Sequence, residues 1–207
     1  MLPGPARALL DHPMRRAQLR ARVTRPYWRR RFYSFGDGTI LDRPAWVFGA
    51  HHIAIGAHTL VLHGAHLSVE SFAWDEPPPA LAIGDRVGIR PSCMFSVSER
   101  VVIEDDVIIG AFSSVIDSDH TFALGRPSVM HNPVETAPIR IGRGTWLAER
   151  VAVLRGADIG RCCIVGANSV VKGELPDYSI AVGSPARVVG KVEGVDADAP
   201  AFSERLW

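Results

Sequence analysis

The stretch IGRGTWLAERVAVLRGADIGRCCIVGANSVV, residues 141–171, places an aliphatic side chain at every sixth position: Ile141, Leu147, Val153, Ile159, Val165 and Val171. The same step joins Ile103, Ile109 and Val115. Earlier it joins Ile83, Ile89 and Phe95, and earlier still Gly49, Ile55, Val61 and Leu67. Of these sixteen hexads, fourteen begin with Ile, Leu or Val. The fifth residue is restricted too. It reads Ile53, Thr59, Ala65, Ser71, Val87, Cys93, Val107, Ser113, Thr145, Val151, Ala157, Cys163 and Ser169, with Glu99, Asp119 and Leu175 as exceptions. A helix repeats every 3.6 residues and a strand every two. A period of six fits a short strand plus a tight corner, three to a triangular coil. The aliphatic side chain then fills the interior and the small residue fits the crowded corner. Gly56, Gly84, Gly110, Gly142, Gly160 and Gly166 follow the aliphatic position and relieve crowding there. Coils stacked at strand spacing make a prism on the order of 25 Å tall. The predicted class is all-β, with coils from about residue 49 to 176.

Three breaks interrupt the series. Residues 72–82 carry three prolines and read as a loop, two extra residues near Glu99 bulge a corner, and residues 121–140 form the longest loop, directly after Asp119-His120. Residues 5–22 suit a short helix, with Pro13 expected to break or kink it. The chain divides into a basic, partly helical arm (1–34), the repeat domain (35–192) and a loosely held tail (193–207).

Apolar residues make up 47% of the 207, enough for one sizeable core, and no run approaches the roughly 18 apolar residues of a membrane span. A net charge of +1 argues against nucleic acid as a partner. The arm is different: Arg15, Arg16, Arg20, Arg22, Arg25, Arg29, Arg30 and Arg31 crowd it. That reads as a solvated helix face, a trimer-contact arm, or a surface for an anionic partner such as a lipid-linked glycan or a membrane leaflet. Cys93, Cys162 and Cys163 are odd in number with two adjacent, which speaks against a disulfide framework. With no apolar leader, a cytoplasmic place is expected.

The segment from Ala137 to Lys191, with its IGxGxW and terminal GSPAxVV motifs, and SSVIDSDHTF (113–122) resemble the hexapeptide-repeat acyltransferases. The likeness is greatest to bacterial sugar and polysaccharide O-acetyltransferases and covers roughly residues 35–192. It implies a left-handed parallel β-helix, a homotrimer with active sites between subunits, acetyl-CoA as co-substrate and a sugar or glycan acceptor.

A sugar hydroxyl is a poor nucleophile until a base removes its proton, and a positioned imidazole contributes about 10²–10⁴-fold. His120 matches the family's base. Asp119 or Asp117 would orient the ring. A backbone N–H at Ala148 or Glu149 would hold the oxyanion. The resemblance sets Trp146 and Arg90 at the acceptor pocket, Arg90 standing where relatives often have Asn. It sets Ala167, Lys172, Gly173 and Arg187 along the coenzyme A groove, with Lys191 a late phosphate contact. Relatives often have Thr-Lys where this chain has Lys172-Gly173. Trp146 reads equally as a packing aromatic, and Cys93 and Cys163 as small inward residues. His51, His52, His58, His63 and His66 tempt a metal reading like that of γ-type carbonic anhydrases on this fold. None has another 18 residues on, so they do not stack, and a solvated surface with no metal is the better reading.

These residues together predict an acetyl-CoA-dependent O-acetyltransferase acting on a sugar by direct transfer. The rivals are a serine or amino-sugar N-acyltransferase, and a non-catalytic scaffold or metal-binding relative.

Overall fold

Each aliphatic residue of the series lies at or near the end of a short strand, and three strands make one coil. The computed structural model describes residues 12–70, 79–122 and 128–194. The first coil is β1 (Ser34–Phe35), β2 (Ile40–Leu41) and β3 (Trp46–Phe48); the second is β4 (Ile53–Ile55), β5 (Leu60–Val61) and β6 (His66–Val69). The third is β7 (Leu81–Ile83), β8 (Gly88–Ile89) and β9 (Met94–Val97); the fourth is β10 (Val101–Ile103), β11 (Ile108–Ile109) and β12 (Ser114–Ile116). A hairpin of β13 (Ser118–His120) and β14 (Val134–Thr136) then leaves the prism. The fifth coil is β15 (Ile139–Ile141), β16 (Trp146–Leu147) and β17 (Ala152–Leu154); the sixth is β18 (Asp158–Ile159), β19 (Ile164–Val165) and β20 (Val170–Val171). β21 (Glu174–Leu175) and β22 (Ser179–Gly183) begin a seventh, and β23 (Ala186–Lys191) folds back antiparallel on β22.

Equivalent strands pair in parallel, giving three faces. Face A is β1-β4-β7-β10-β15-β18-β21, face B is β2-β5-β8-β11-β16-β19-β22 closed by β23, and face C is β3-β6-β9-β12-β17-β20. Uninterrupted coils are 18 residues long, so Ile141 faces Ile159, Leu147 faces Val165 and Val153 faces Val171. Every aliphatic position from Ile55 to Val171 is buried, and so are the described fifth residues apart from Glu99 and Asp119. Both sets therefore line one interior.

The polar fifth residues tie the coils together. Thr59 donates its hydroxyl to the carbonyl of Gly84 and accepts from the amide of Val87, one coil on. Ser113 does the same with Ala148 and Val151, and Thr145 with Gly160 and Cys163. Buried hydroxyls are thus satisfied by backbone groups of the next coil. Cys93 takes this place with its thiol toward the Gly110 carbonyl, and burial pushes its pKa up to about 11. The glycines answer a closely related need. A Cβ on Gly110 would fall 2.4 Å from the Ala148 carbonyl, and one on Gly142 2.6 Å from that of Gly160. It is the next coil, not the turn dihedral, that excludes a side chain there.

The repeat begins earlier than its spacing predicts. Phe35, Leu41 and Val47 form a coil of their own, and Gly49 is a left-handed corner residue before a short 3-10 turn at Ala50–His52. Two residues added there break the step of six. Leu175 is no corner residue: it pairs with Ile159 and starts the seventh coil. The expected 72–82 loop ends sooner, since Leu81 to Ile83 belong to face A; residues 71–78 lie outside those described. The expected 121–140 loop contains β14 and the start of β15, with residues 123–127 outside those described.

The described helix, α1 (Pro13–Arg31), starts at Pro13, whose missing N–H costs nothing in the first turn, and runs on past Pro26. Of the expected helix over 5–22, residues 13–22 belong to α1 with Pro13 at its start; residues 1–11 lie outside those described, as do residues 195–207 of the tail. Ala17 and Ala21 pack on Ile40 and Leu60, covering the outside of face B at its first two coils. The histidines do not share one environment. His52 is buried, with its pKa lowered by burial and by His51, whereas His66 stacks on Trp46 at 6.1 Å. Among the described residues no three potential ligands cluster for a metal ion.

Ile109 is fully buried and its neighbour Ile108 is 37% exposed. Ile109→Ala should cost about 2–5 kcal/mol, whereas Ile108→Thr should stay within roughly 0.5 kcal/mol. Urea denaturation of the two variants checks this inside-outside assignment.

Candidate active site

All the interruptions fall at one corner of the prism, where face C passes to face A. They are the 50–52 turn, the chain between β6 and β7, the 98–100 bulge and the β13/β14 hairpin. His120 closes β13 opposite Val134, and its ring is exposed. Asp119 lies opposite Glu135, and these like charges would repel across the pair. Arg155, from the same corner of the fifth coil, bridges them: its guanidinium donates to Asp119 at 3.1 Å and to Glu135 at 3.0 Å. Beyond His120, the Thr121 hydroxyl donates to the Pro133 carbonyl at 2.8 Å and the Asn132 side-chain amide to that of Thr121 at 2.7 Å. The histidine thus stands on a hairpin tied at both ends. Arg155 and Glu135 were not visible as site residues in the sequence, because the β13/β14 register that joins them spans the loop.

Asp117, two residues before Asp119, lies inside the corner rather than on its surface. It is fully buried, and its carboxylate accepts from the amides of Ser98 at 2.7 Å and of Glu99 and Arg100 at 2.9 Å. Burial raises its pKa while the three amides pull the other way. It pins the 98–100 bulge. Asp119 is engaged by Arg155.

The candidate oxyanion donors separate. The amide of Ala148 donates to the Val165 carbonyl at 2.9 Å, as a rung of face B. That of Glu149 has no hydrogen-bond partner among the described residues. Gly173 has a left-handed backbone and open space where a side chain would project, and Lys172 beside it is exposed. Arg187, on β23 opposite Val182, is exposed, as is Lys191 at its end. These cations, the open glycine and the available amide suit the phosphates, pantetheine arm and thioester of an acyl-coenzyme A. Trp146 projects from face B between Ile108 and Ile164 and is 48% exposed.

On a single chain the predicted site residues divide between two corners. His120, Asp119, Lys172 and Gly173 lie where C meets A. Arg90, Glu149, Ala167 and Arg187 lie where B meets C, with Ala148 leading into that corner. Face C separates them, four or five residues at about 3.3 Å each, on the order of 15 Å.

No family profile matches the chain. It is 37% identical over 110 residues to a Mycobacterium tuberculosis protein named for acetyltransferase activity, covering 53% of this chain and 37% of that one. It is 32% identical over 114 residues to an Escherichia coli protein named for O-acetyl transfer in lipopolysaccharide biosynthesis, covering 52% and 58%. The chain thus spans little more than half, or less, of these curated relatives. Among solved structures, a Vibrio cholerae hexapeptide-repeat acetyltransferase complexed with acetyl-coenzyme A superposes with a TM-score of 0.60 at 20% identity, over 84% of this chain and 78% of that one. The chain shares the fold of the hexapeptide-repeat acetyltransferases. An N-acyltransferase of that fold from Bacillus cereus, solved as a point mutant with dTDP and coenzyme A, superposes with a TM-score of 0.68 at 20% identity, over 81% and 88%. The curated acetyltransferase relatives and this fold agree with the resemblance read from 113–122 and 137–191.

Asp117→Ala would orphan three amides around a buried site and should cost about 2–5 kcal/mol. Arg155→Ala removes a partly exposed bridge and should cost no more than about 1 kcal/mol. Chemical denaturation distinguishes the carboxylate that holds the bulge from the arginine that holds the hairpin.

Proposed function

We propose that this chain transfers an acetyl group from acetyl-coenzyme A to a sugar hydroxyl, with His120 as general base. The observation that carries this reading is His120 itself: an exposed imidazole on a hairpin fixed by Arg155, within the 113–122 segment that resembles the family's catalytic stretch. Neutral His120 takes the proton of the acceptor hydroxyl as its oxygen attacks the thioester carbonyl. A C–O bond forms, and the N–H of Glu149 receives the negative oxygen. The tetrahedral centre then breaks its C–S bond, and the thiolate leaves with the proton from the imidazolium. Asp119 stabilises that cation from the adjacent position in the chain, its own charge balanced by Arg155. Lys172 and Arg187 meet the phosphates, Gly173 and Ala167 admit the pantetheine arm, and Trp146 and Arg90 meet the acceptor.

On this reading residues 35–192 are the catalytic domain, a coil wound in the left-handed sense. The working form is a homotrimer, in which the C–A corner of one subunit faces the B–C corner of its neighbour and completes the site. The hairpin suits such a place, because it presents Phe122 at 91% exposure together with Met130 and Val134. We place the reaction in the cytoplasm, in line with three free thiols. The acceptor belongs to surface polysaccharide synthesis, a reading supported by the Escherichia coli relative. A second reading, transfer to an amino sugar, is favoured by the Bacillus cereus N-acyltransferase of the same fold.

His120→Ala should lower kcat by about 10²–10⁴-fold while leaving acetyl-coenzyme A affinity and the melting temperature unchanged. Coenzyme A thiol release, measured over matched hydroxy and amino sugars, reads this out; a folded variant with near wild-type turnover overturns it. A turnover confined to amino sugars selects the second reading. Arg187→Ala should raise the KM for acetyl-coenzyme A by roughly tenfold or more, as loss of a charge-assisted phosphate contact does.

A further inference from the structure

The arginines of α1 are not used by the site, and the helix has a second surface that the prism leaves uncovered. Its inner side, Ala17 and Ala21 with Trp28, packs on the coils. Its outer side carries Leu19, Val23 and Tyr27, four residues apart and therefore in one row, and these are 48%, 80% and 53% exposed. Arg15, Arg22 and Arg30 flank that row, and all three are exposed. The helix contains eight arginines and no acidic residue. Three of the arginines are turned to the prism: Arg20 pairs with Asp42 and Arg29 with Asp37, while Arg25 donates to the Thr39 carbonyl. Arg31 lies over the Tyr27 ring. Among the described residues, Arg15, Arg22 and Arg30 have no carboxylate partner.

We propose that this outer face is a docking surface for an anionic lipid bilayer. The arginines meet lipid phosphates, and Val23, Leu19 and Tyr27 enter the headgroup boundary. The charge asymmetry calls for an anionic partner. A nucleic acid or soluble polyanion would be met by arginines alone and gives no reason for an apolar row at the centre of the cationic face. An interfacial helix needs both. No described helix is long and apolar enough to cross a membrane, so contact through α1 is peripheral. Docking would hold the chain beside acceptors carried on lipid.

The test is co-sedimentation of the full chain with vesicles of phosphatidylcholine alone and with about one-third phosphatidylglycerol, at low and high salt. Binding is expected only to the anionic vesicles and should weaken with salt. Val23→Asp should reduce the partition coefficient at least tenfold, as should Arg15→Gln with Arg22→Gln and Arg30→Gln; Val23 is so exposed that its melting temperature should not move. Absence of binding to anionic vesicles overturns the proposal. So does undiminished binding by Val23→Asp, which would make the face a general polyanion site. A change of oligomeric state in Val23→Asp, seen by light scattering, overturns it in favour of a second copy of the chain as the occupant.

Discussion

Inward stacking of one aliphatic side chain per strand on its counterpart a coil away is the interaction on which the structure depends. Ile109 rests between Ile89 and Leu147, and the same is true on each face. Backbone pairing alone would not fix which residues face inward, because a slip of one residue reverses every side chain. The aliphatic column supplies that register. The hydroxyls of Thr59, Ser113 and Thr145 reinforce it by bonding across coils at the corner, where side chains are small enough for the backbone to turn.

A stack held this way tolerates added residues only where they do not enter the column. The chain puts its additions at the C–A corner, and the buried carboxylate of Asp117 shows what that requires. Two extra residues at 98–100 leave three amides without a rung, and Asp117, one coil on, accepts all of them. The β13/β14 hairpin is the larger version of the same solution, with Arg155 neutralising a pair of carboxylates that its register brings face to face. A rigid prism thereby displays a histidine outside its own core, on a short hairpin held by defined bonds. The consequence is a separation by corner: the imidazole of His120 on one edge, the Glu149 amide and Arg187 on another.

The six-residue period made the architecture legible because inward aliphatic residues are rarely replaced in this chain. It failed where length changed rather than composition. Gly49 continues the count of six and reads as a hexad, whereas the structure uses it to turn after Val47, so the spacing hides a whole coil at 35–47. Leu175 looks like an irregular corner for the same reason: four residues, not six, separate it from Val171. The place of His120 was legible from the resemblance of its segment. Its support was not, since Arg155 and Glu135 are distant in sequence and meet only through the hairpin register. Asp117 and Asp119 are both acidic and two residues apart in the sequence. Burial alone separates them, one accepting amides inside the corner and one facing an arginine outside.

The split between corners most constrains the proposed mechanism, because His120 and the Glu149 amide, on the order of 15 Å apart on one chain, would meet one thioester only from two chains, and Arg187 shares the corner of Glu149. Coexpression of His120→Ala with Arg187→Glu chains, followed by purification of mixed oligomers and assay at subsaturating acetyl-coenzyme A, tests this directly. If each site draws its base and its phosphate contact from neighbouring subunits, random mixing restores about one quarter of the sites, since half the chains carry each intact residue. Activity well above both parents, near a quarter of wild type, is the predicted result. Mixed oligomers no more active than the average of the two parents would place both residues in one subunit's site and contradict the intersubunit arrangement.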